Sequence, residues 1–142
     1  MNIKITYNWL LEYLETDADP YEIQKYLSLC GPGVERVDKV GDDYVFDIEI
    51  TSNRVDMASV FGIAQEAQAI LPRFGKKAKL KQNPLTELRF KWSEKFTGKS
   101  LPLTVKVEDK KFASRLITVI LSDVRIGPSD KLITERLEMC GE

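Results

Sequence analysis

The sequence has no histidine. That removes the side chain that most often serves as a general base near neutral pH and most often ligates metals. A Ser-His-Asp or Cys-His nucleophilic site cannot be built from it. Any chemistry of the chain's own would have to rest on carboxylates or lysines. Cysteine is scarce as well. Cys30 and Cys140 stand far apart, form no CxxC pair, and offer neither a disulfide framework nor zinc-ligand spacing. This suits a reducing, cytosolic compartment. No stretch approaches the roughly 18 apolar residues of a membrane span. The start, Met1-Asn2-Ile3-Lys4-Ile5, lacks the apolar run of a signal peptide. The expectation is a cytoplasmic protein with no membrane partner.

Net charge is nearly absent, at −1, but its distribution is uneven. Residues 1–71 carry 5 Lys/Arg against 13 Asp/Glu, residues 72–111 carry 12 against 4, and residues 112–142 carry 4 against 5. An acidic first block therefore meets a basic middle block. A basic stretch can concentrate phosphates, although a solvated linker is the plainer and favoured reading. Over 142 residues, 43 % are hydrophobic and 30 % charged, which places the chain among globular proteins rather than disordered ones.

Several elements are legible from spacing and end signals. Ile3 and Ile5 begin a short strand, and Thr6 is a candidate cap for a helix whose Leu10, Tyr13 and Leu14 share a face, with Trp9 beside it. Asp19, Pro20 and Glu22 make a capping-box start for a second helix carrying Ile23, Tyr26, Leu27 and Cys30. Gly31-Pro32-Gly33 should stop it, with glycine supplying the positive φ of a helix end. The period then changes to two. Residues 34–40 and 44–50 flank a Gly41-Asp42-Asp43 turn, with Phe46, Ile48 and Ile50 on one face and Asp47 and Glu49 on the other. This predicts a hairpin with one wet face.

Val60, Ile63, Ala64, Ala67, Ile70 and Leu71 form an apolar stripe on a third helix. Gly62 interrupts it at a cost of about 1 kcal/mol relative to alanine, tolerable if another element packs close there. Pro72 ends the helical region. Residues 73–101 read as a junction between domains, although Phe90, Trp92 and Phe96 are too apolar for a free linker. Beyond it, residues 103–107 and 114–126 have strand character, and Pro128-Ser129 should cap a last helix carrying Leu132, Ile133, Arg136 and Leu137. Two strands and one helix cannot close a core, so the chain is expected to be a piece of a longer protein, cut inside its second domain.

Three stretches resemble the beta subunit of bacterial phenylalanine–tRNA ligase. The opening Ile5-Thr6-Tyr7-Asn8-Trp9-Leu10-Leu11-Glu12-Tyr13 is similar to that family's start. Asp47-Ile48-Glu49-Ile50-Thr51-Ser52-Asn53-Arg54-Val55-Asp56, followed by Ser59-Val60-Phe61-Gly62-Ile63-Ala64-Gln65-Glu66, resembles its D-I-x-x-T-x-N-R-x-D-x-x-S-x-x-G-I-A-x-E signature. Residues 115–141 look like the beginning of its editing domain. Of the three, the middle match is the specific one.

The resemblance implies an α+β chain. Residues 1–80 would be a small winged-helix-like helix–helix–hairpin–helix module, residues 81–101 a junction, and residues 102–142 the opening of an α/β editing-type domain. It implies an intact enzyme that attaches phenylalanine to tRNA(Phe) with ATP and Mg²⁺, built from two alpha and two beta chains, with catalysis on the alpha subunit. In many bacterial beta chains an oligonucleotide-binding-fold domain is inserted where the hairpin lies. Here residues 37–44 run straight through, so tRNA contacts assigned to that insertion are not carried over. The family's editing pocket and catalytic-like core would lie beyond residue 142. No catalytic, cofactor-binding or metal-binding residue is assigned, and this stretch is expected to be inactive alone.

Two groups remain as candidate sites. Asn53, Arg54 and Asp56 could grip a phosphate or a partner's carboxylate. The favoured reading is structural: Asp56 caps the third helix while Asn53 and Arg54 tie the hairpin to its neighbours. Arg73, Lys76, Lys77, Lys79 and Lys81 could track a tRNA backbone, against the favoured reading of a solvated linker. Trp9 and Tyr13 could stack on bases but fit a core better, and Asp42-Asp43 are turn formers. A different class of function, a stand-alone nucleic-acid-binding or regulatory module, meets an obstacle in the second helix, which carries Asp19, Glu22 and Lys25 and few basic residues to enter a groove.

Overall fold

The computed structural model describes residues 1–81, 83, 106–109, 111, 112, 114, 116 and 123–141. The chain divides into two compact units, one of residues 1–88 with 129–142 and the other of residues 89–128. The described part of the first is a mixed α/β arrangement of helices and small antiparallel sheets, an α+β fold.

Strand β1 (Asn2–Thr6) leads directly into helix α1 (Tyr7–Tyr13), because the Thr6 hydroxyl accepts from the Trp9 N–H and caps it. The helix is one residue shorter than its spacing predicts. Leu14 turns extended and opens β2 (Leu14–Thr16). Helix α2 (Pro20–Cys30) has the full capping box. The Asp19 carboxylate accepts from Glu22 N–H at 2.9 Å, and Glu22 returns the bond to Asp19 N–H at 3.0 Å. Ile23 and Leu27 are fully buried, Tyr26 is half-buried, and Cys30 is exposed rather than part of the apolar face.

Gly31 ends α2 at φ −135°, so positive φ is not the reason for a glycine here. Close approach is: an added Cβ would lie 2.8 Å from Ile70 Cδ1.

The predicted hairpin is β3 (Gly33–Val40) and β4 (Asp43–Glu49), closed by the two-residue turn Gly41-Asp42 with Gly41 at φ +59°. β4 is the central strand of a three-stranded antiparallel sheet in the order β1-β4-β3. A bulge at Glu35 interrupts its pairing with β3. Phe46, Ile48 and Ile50 are buried to 1 % exposure or less, and Glu49 is exposed, as the alternation predicts.

Asp43 departs from the turn-former role. It is buried, and its carboxylate accepts from Asn8 N–H at 3.0 Å, supplying a second acceptor to the start of α1. Helix α3 (Val60–Ile70) buries Val60, Ile63, Ala64, Ala67 and Ile70 in the core, packing against α1 and α2. The larger of these side chains, Val60, Ile63 and Ile70, each contribute roughly 1.5–3 kcal/mol on burial.

A 3-10 turn (Leu71–Phe74) and Gly75, at φ +75°, reverse the chain into β5 (Ala78–Leu80). β5 pairs antiparallel with β2, Leu14 opposite Leu80. Residues 76–81 are thus folded structure, not linker. Lys77 N–H donates to Asp17, and Thr16 Oγ1 donates to the Lys77 carbonyl.

The last helix, α4 (Lys131–Cys140), is capped by Asp130 rather than Pro128-Ser129 and stops at Gly141, φ +86°. Within the first unit it packs beside β1 and α1. Arg136 pairs with Glu12 and lies 4.8 Å from the Trp9 ring, and the Cys140 thiol donates to the Lys4 carbonyl. The strand expected at residues 103–107 lies largely outside the described residues. Of the strand expected at 114–126, the described Ser114, Leu116 and residues 123–126 are not in strand.

Candidate functional site

β4 delivers the chain into a turn at Thr51-Ser52-Asn53-Arg54, closed by Arg54 N–H donating to the Thr51 carbonyl at 2.9 Å. A 3-10 turn (Val55–Met57) follows and buries Met57. The Arg54 side chain then folds over this turn. Its Nε and Nη2 donate to the two oxygens of Asp56 at 3.1 and 2.9 Å, a forked pair, and Nη2 also donates to Glu66 on α3. Its hydrogen bonds to Asp56 and then Glu66 hold the Arg54 guanidinium charged far above its ordinary range. The hydrogen bond from Arg54 lowers the Asp56 carboxyl below its usual value.

Arg54 therefore has two carboxylate partners within the molecule, and the cluster carries one positive charge against two negative ones. Asn53 is exposed at the turn, outside this network. Asp56 does not cap α3. Ser59 does, its hydroxyl accepting from Gly62 N–H at 3.0 Å.

Gly62 completes the unit. An added Cβ there would lie 2.1 Å from the Asp56 carbonyl oxygen and 2.8 Å from Met57 Cα. The 3-10 turn packs on the helix at the one place where a side chain is missing. Arg54, Asp56, Ser59, Gly62 and Glu66 are thus one tightly fitted joint between the sheet and α3. Beside it, an open groove of about 670 Å³ runs between β1, α1 and the start of α3, with Trp9, Tyr13 and Phe61 on its walls. Tyr13 meets Phe61 edge to face at 5.9 Å. Trp9 and Tyr13 are half-buried against the core.

The five basic candidates are not equivalent. Lys76 is bonded to Glu22 at 2.5 Å, which raises the lysine and, with the Asp19 backbone hydrogen bond, lowers the carboxylate. Lys81 donates from Nζ to the Leu11 carbonyl at 2.7 Å. Lys79 stands opposite Glu15 in the β2–β5 pairing. Arg73, Lys77 and Lys79 are exposed.

The joint is built from the residues of the signature that linked the chain to a known family, and comparison with curated proteins returns the same family. The chain is 35 % identical over 102 residues to the phenylalanine–tRNA ligase beta subunit of Bdellovibrio bacteriovorus, covering 70 % of this chain and 11 % of that subunit. It is 28 % identical over 112 residues to the subunit of Carboxydothermus hydrogenoformans, covering 78 % and 12 %. Against that of Rhodopirellula baltica it is 27 % identical over 137 residues, covering 96 % and 19 %.

The chain is a relative of phenylalanine–tRNA ligase beta subunits.

It spans between about a tenth and a fifth of the length of these curated subunits. No family model matches it, and no solved structure matches it. Among the described residues, no helix is long and apolar enough to cross a membrane. Nor do those residues bring three or more His, Cys, Asp or Glu side chains together as a metal site.

Two members of the joint escape sequence reasoning about the beta-subunit signature. Glu66 reads as the last letter of a motif, and only the fold shows that it completes the clamp on Arg54. Ser59 stands at the position before an apolar stripe, which is the signal that marks it as the cap.

Proposed function

We propose that this chain is the N-terminal module of a phenylalanine–tRNA ligase beta subunit, serving as scaffold and accessory tRNA surface rather than as a catalyst. The observation that carries this reading is the fit between signature and structure. The Thr-x-Asn-Arg-x-Asp and Ser-x-x-Gly-Ile-Ala-x-Glu segments, the ones that resemble the family, meet in a single joint through Arg54, Asp56, Gly62 and Glu66. A helix–helix–hairpin–helix unit of winged-helix-like form, held by that joint, would occupy residues 1–80. Residues 81–101 would be the junction, and residues 102–142 would open the editing domain.

In this reading the intact enzyme attaches phenylalanine to tRNA(Phe) in the cytoplasm, as an assembly of two alpha and two beta chains. ATP and Mg²⁺ act on the alpha subunit. Its own contribution is mechanical and electrostatic: it orients neighbouring parts of the subunit and presents the exposed Arg73, Lys77 and Lys79 towards the tRNA backbone, while Lys76 and Lys81 are held by Glu22 and the Leu11 carbonyl. The Asn53-Arg54-Asp56 turn serves the fold first.

The deciding test is aminoacylation of tRNA with phenylalanine by the full-length parent beta chain co-expressed with its alpha subunit. Activity that needs both chains is the expected result. A folded alpha–beta complex that fails to charge its own tRNA with phenylalanine would overturn the assignment.

A further inference from the structure

Strand β3 is an outer strand of the β1-β4-β3 sheet, so one side of its backbone is not used by β4. The register says which residues turn that way. Val40 and Asp43 flank the two-residue turn as its hydrogen-bonded pair, and pair types alternate along an antiparallel ladder. Asp38, opposite Val45, is then bonded to β4, whereas Val37 and Lys39 point their N–H and C=O groups outward. Nearer its start the same edge is covered by α2. Ser28 Oγ accepts from Val34 N–H at 3.0 Å, and Gln24 Nε2 donates to the Val34 carbonyl at 3.2 Å. Among the described residues, no side chain covers Val37 or Lys39 in this way.

The charges along this edge are opposite in sign about Val37. Arg36 and Asp38 flank it, and Glu35 and Lys39 lie one step further out. Laid antiparallel against a copy of itself with Val37 on the two-fold axis, the strand places Arg36 of each chain opposite Asp38 of the other. An axis at Arg36 or at Asp38 sets like charges face to face instead. The Arg36 and Asp38 side chains are 63 % and 58 % exposed, and their contact within one chain is long, at 3.5 Å. Asp47 orients Arg36 at 3.1 Å. The bulge at Glu35 turns that carboxylate towards Asn2, whose Nδ2 donates to it at 3.0 Å, so the Arg36–Asp38 pairs set the register.

We propose that the outer edge of β3 is a self-pairing surface, on which two copies of this chain join antiparallel about Val37 and merge their three-stranded sheets. The two Val37 residues exchange N–H···O=C bonds on the axis. Their half-buried side chains meet on the core side, and the two Arg36–Asp38 pairs flank them on the opposite face. A foreign strand could use the same backbone groups, but it would have no need of a sign pattern that complements its own reverse. The inference stands apart from the ligase reading, since it uses no residue proposed to meet tRNA.

The test is sedimentation equilibrium of the 142-residue chain, from about 10 µM to about 500 µM because a contact this small is weak. At the upper end the native chain is expected to dimerise. Val37→Pro removes an outward N–H and leaves the bonds to β4, a placement that edge strands accept. It should remain folded by circular dichroism and stay monomeric throughout. Asp38→Lys puts like charges opposite each other at two symmetric places and should weaken self-association at least about fivefold. Arg36→Asp should do the same with the other sign. Mixed in equal amounts, these two variants complement each other, and association should return to within about threefold of native.

A chain that stays monomeric at the highest concentration overturns the proposal. So does a dimer that Val37→Pro and Asp38→Lys leave intact, since it must lie on another surface. Two weakened variants that do not recover on mixing overturn it too, because the register about Val37 requires their complementarity. Should Val37→Pro not fold, Asp38→Lys and the mixture decide alone.

Discussion

A methyl group added at Gly62 would sit 2.1 Å from the Asp56 carbonyl oxygen, far inside van der Waals distance and against backbone that cannot rotate away. Helix propensity alone favours alanine there by about 1 kcal/mol. Overpacking of this kind costs typically about 1–3 kcal/mol. Gly62→Ala is therefore expected to lower the urea midpoint, against its propensity. Gly31→Ala, whose nearest neighbour is the flexible end of Ile70 at 2.8 Å, should cost less in the same measurement.

Asp56 offers a pH test. Its folded carboxyl lies below the ordinary 3.8, held there by the hydrogen bond from Arg54. A depressed carboxyl stabilises the fold fully above the unfolded value and loses that contribution as pH falls through the folded one. Thermal midpoints of the native chain and of Asp56→Asn should thus differ at pH 7 and draw together only as pH falls below the ordinary 3.8, towards the lowered folded value. A gap that stays constant with pH would show that Asp56 acts through shape and not charge. At this scale Thr6, Asp19 and the need for close packing at Gly62 were all readable, since each follows from local chemistry. Glu66 and Asp43 were not, because their partners are brought to them by the fold.

Elements with a strong period or a paired end signal could be read directly: α2, the β3–β4 hairpin, and α3. The capping box of α2 predicts that Asp19→Ala costs about 1 kcal/mol in equilibrium unfolding. A decrease well under half of that would mean that tertiary packing, not the cap, holds the helix start. β2 and β5 were missed. Three residues show no periodicity, and their pairing joins Leu14 to Leu80 across most of the first unit. The same pairing explains why the alternating lysines at 77, 79 and 81 resemble a solvated linker. They are the outward side of a short edge strand whose other side holds Ala78 and Leu80 against the core. The stop at Gly31 was placed correctly for a reason that the backbone angle does not support.

For the molecule as a whole, the paired β2 and β5 close the first module just past residue 80. A chain of residues 1–81 is expected to unfold in a single cooperative transition by circular dichroism. A chain ending at Gly75 lacks β5 and the Lys81-to-Tyr13 backbone bond, and should melt several degrees lower. Equal melting of the two would show that β5 adds nothing to closure.

The strand order β1-β4-β3 also sets a timetable. β1 is made first, yet its partner β4 begins at Asp43 and ends at Glu49. A ribosome adds about 5–20 residues per second, so the first strand waits for a time on the order of seconds before anything can pair with it. During that interval its open edge and the apolar side chains of Ile3 and Ile5 are available to whatever binds nascent chains. Rare codons placed before residue 49 would lengthen that exposure, whereas the same codons after residue 81 would leave it unchanged.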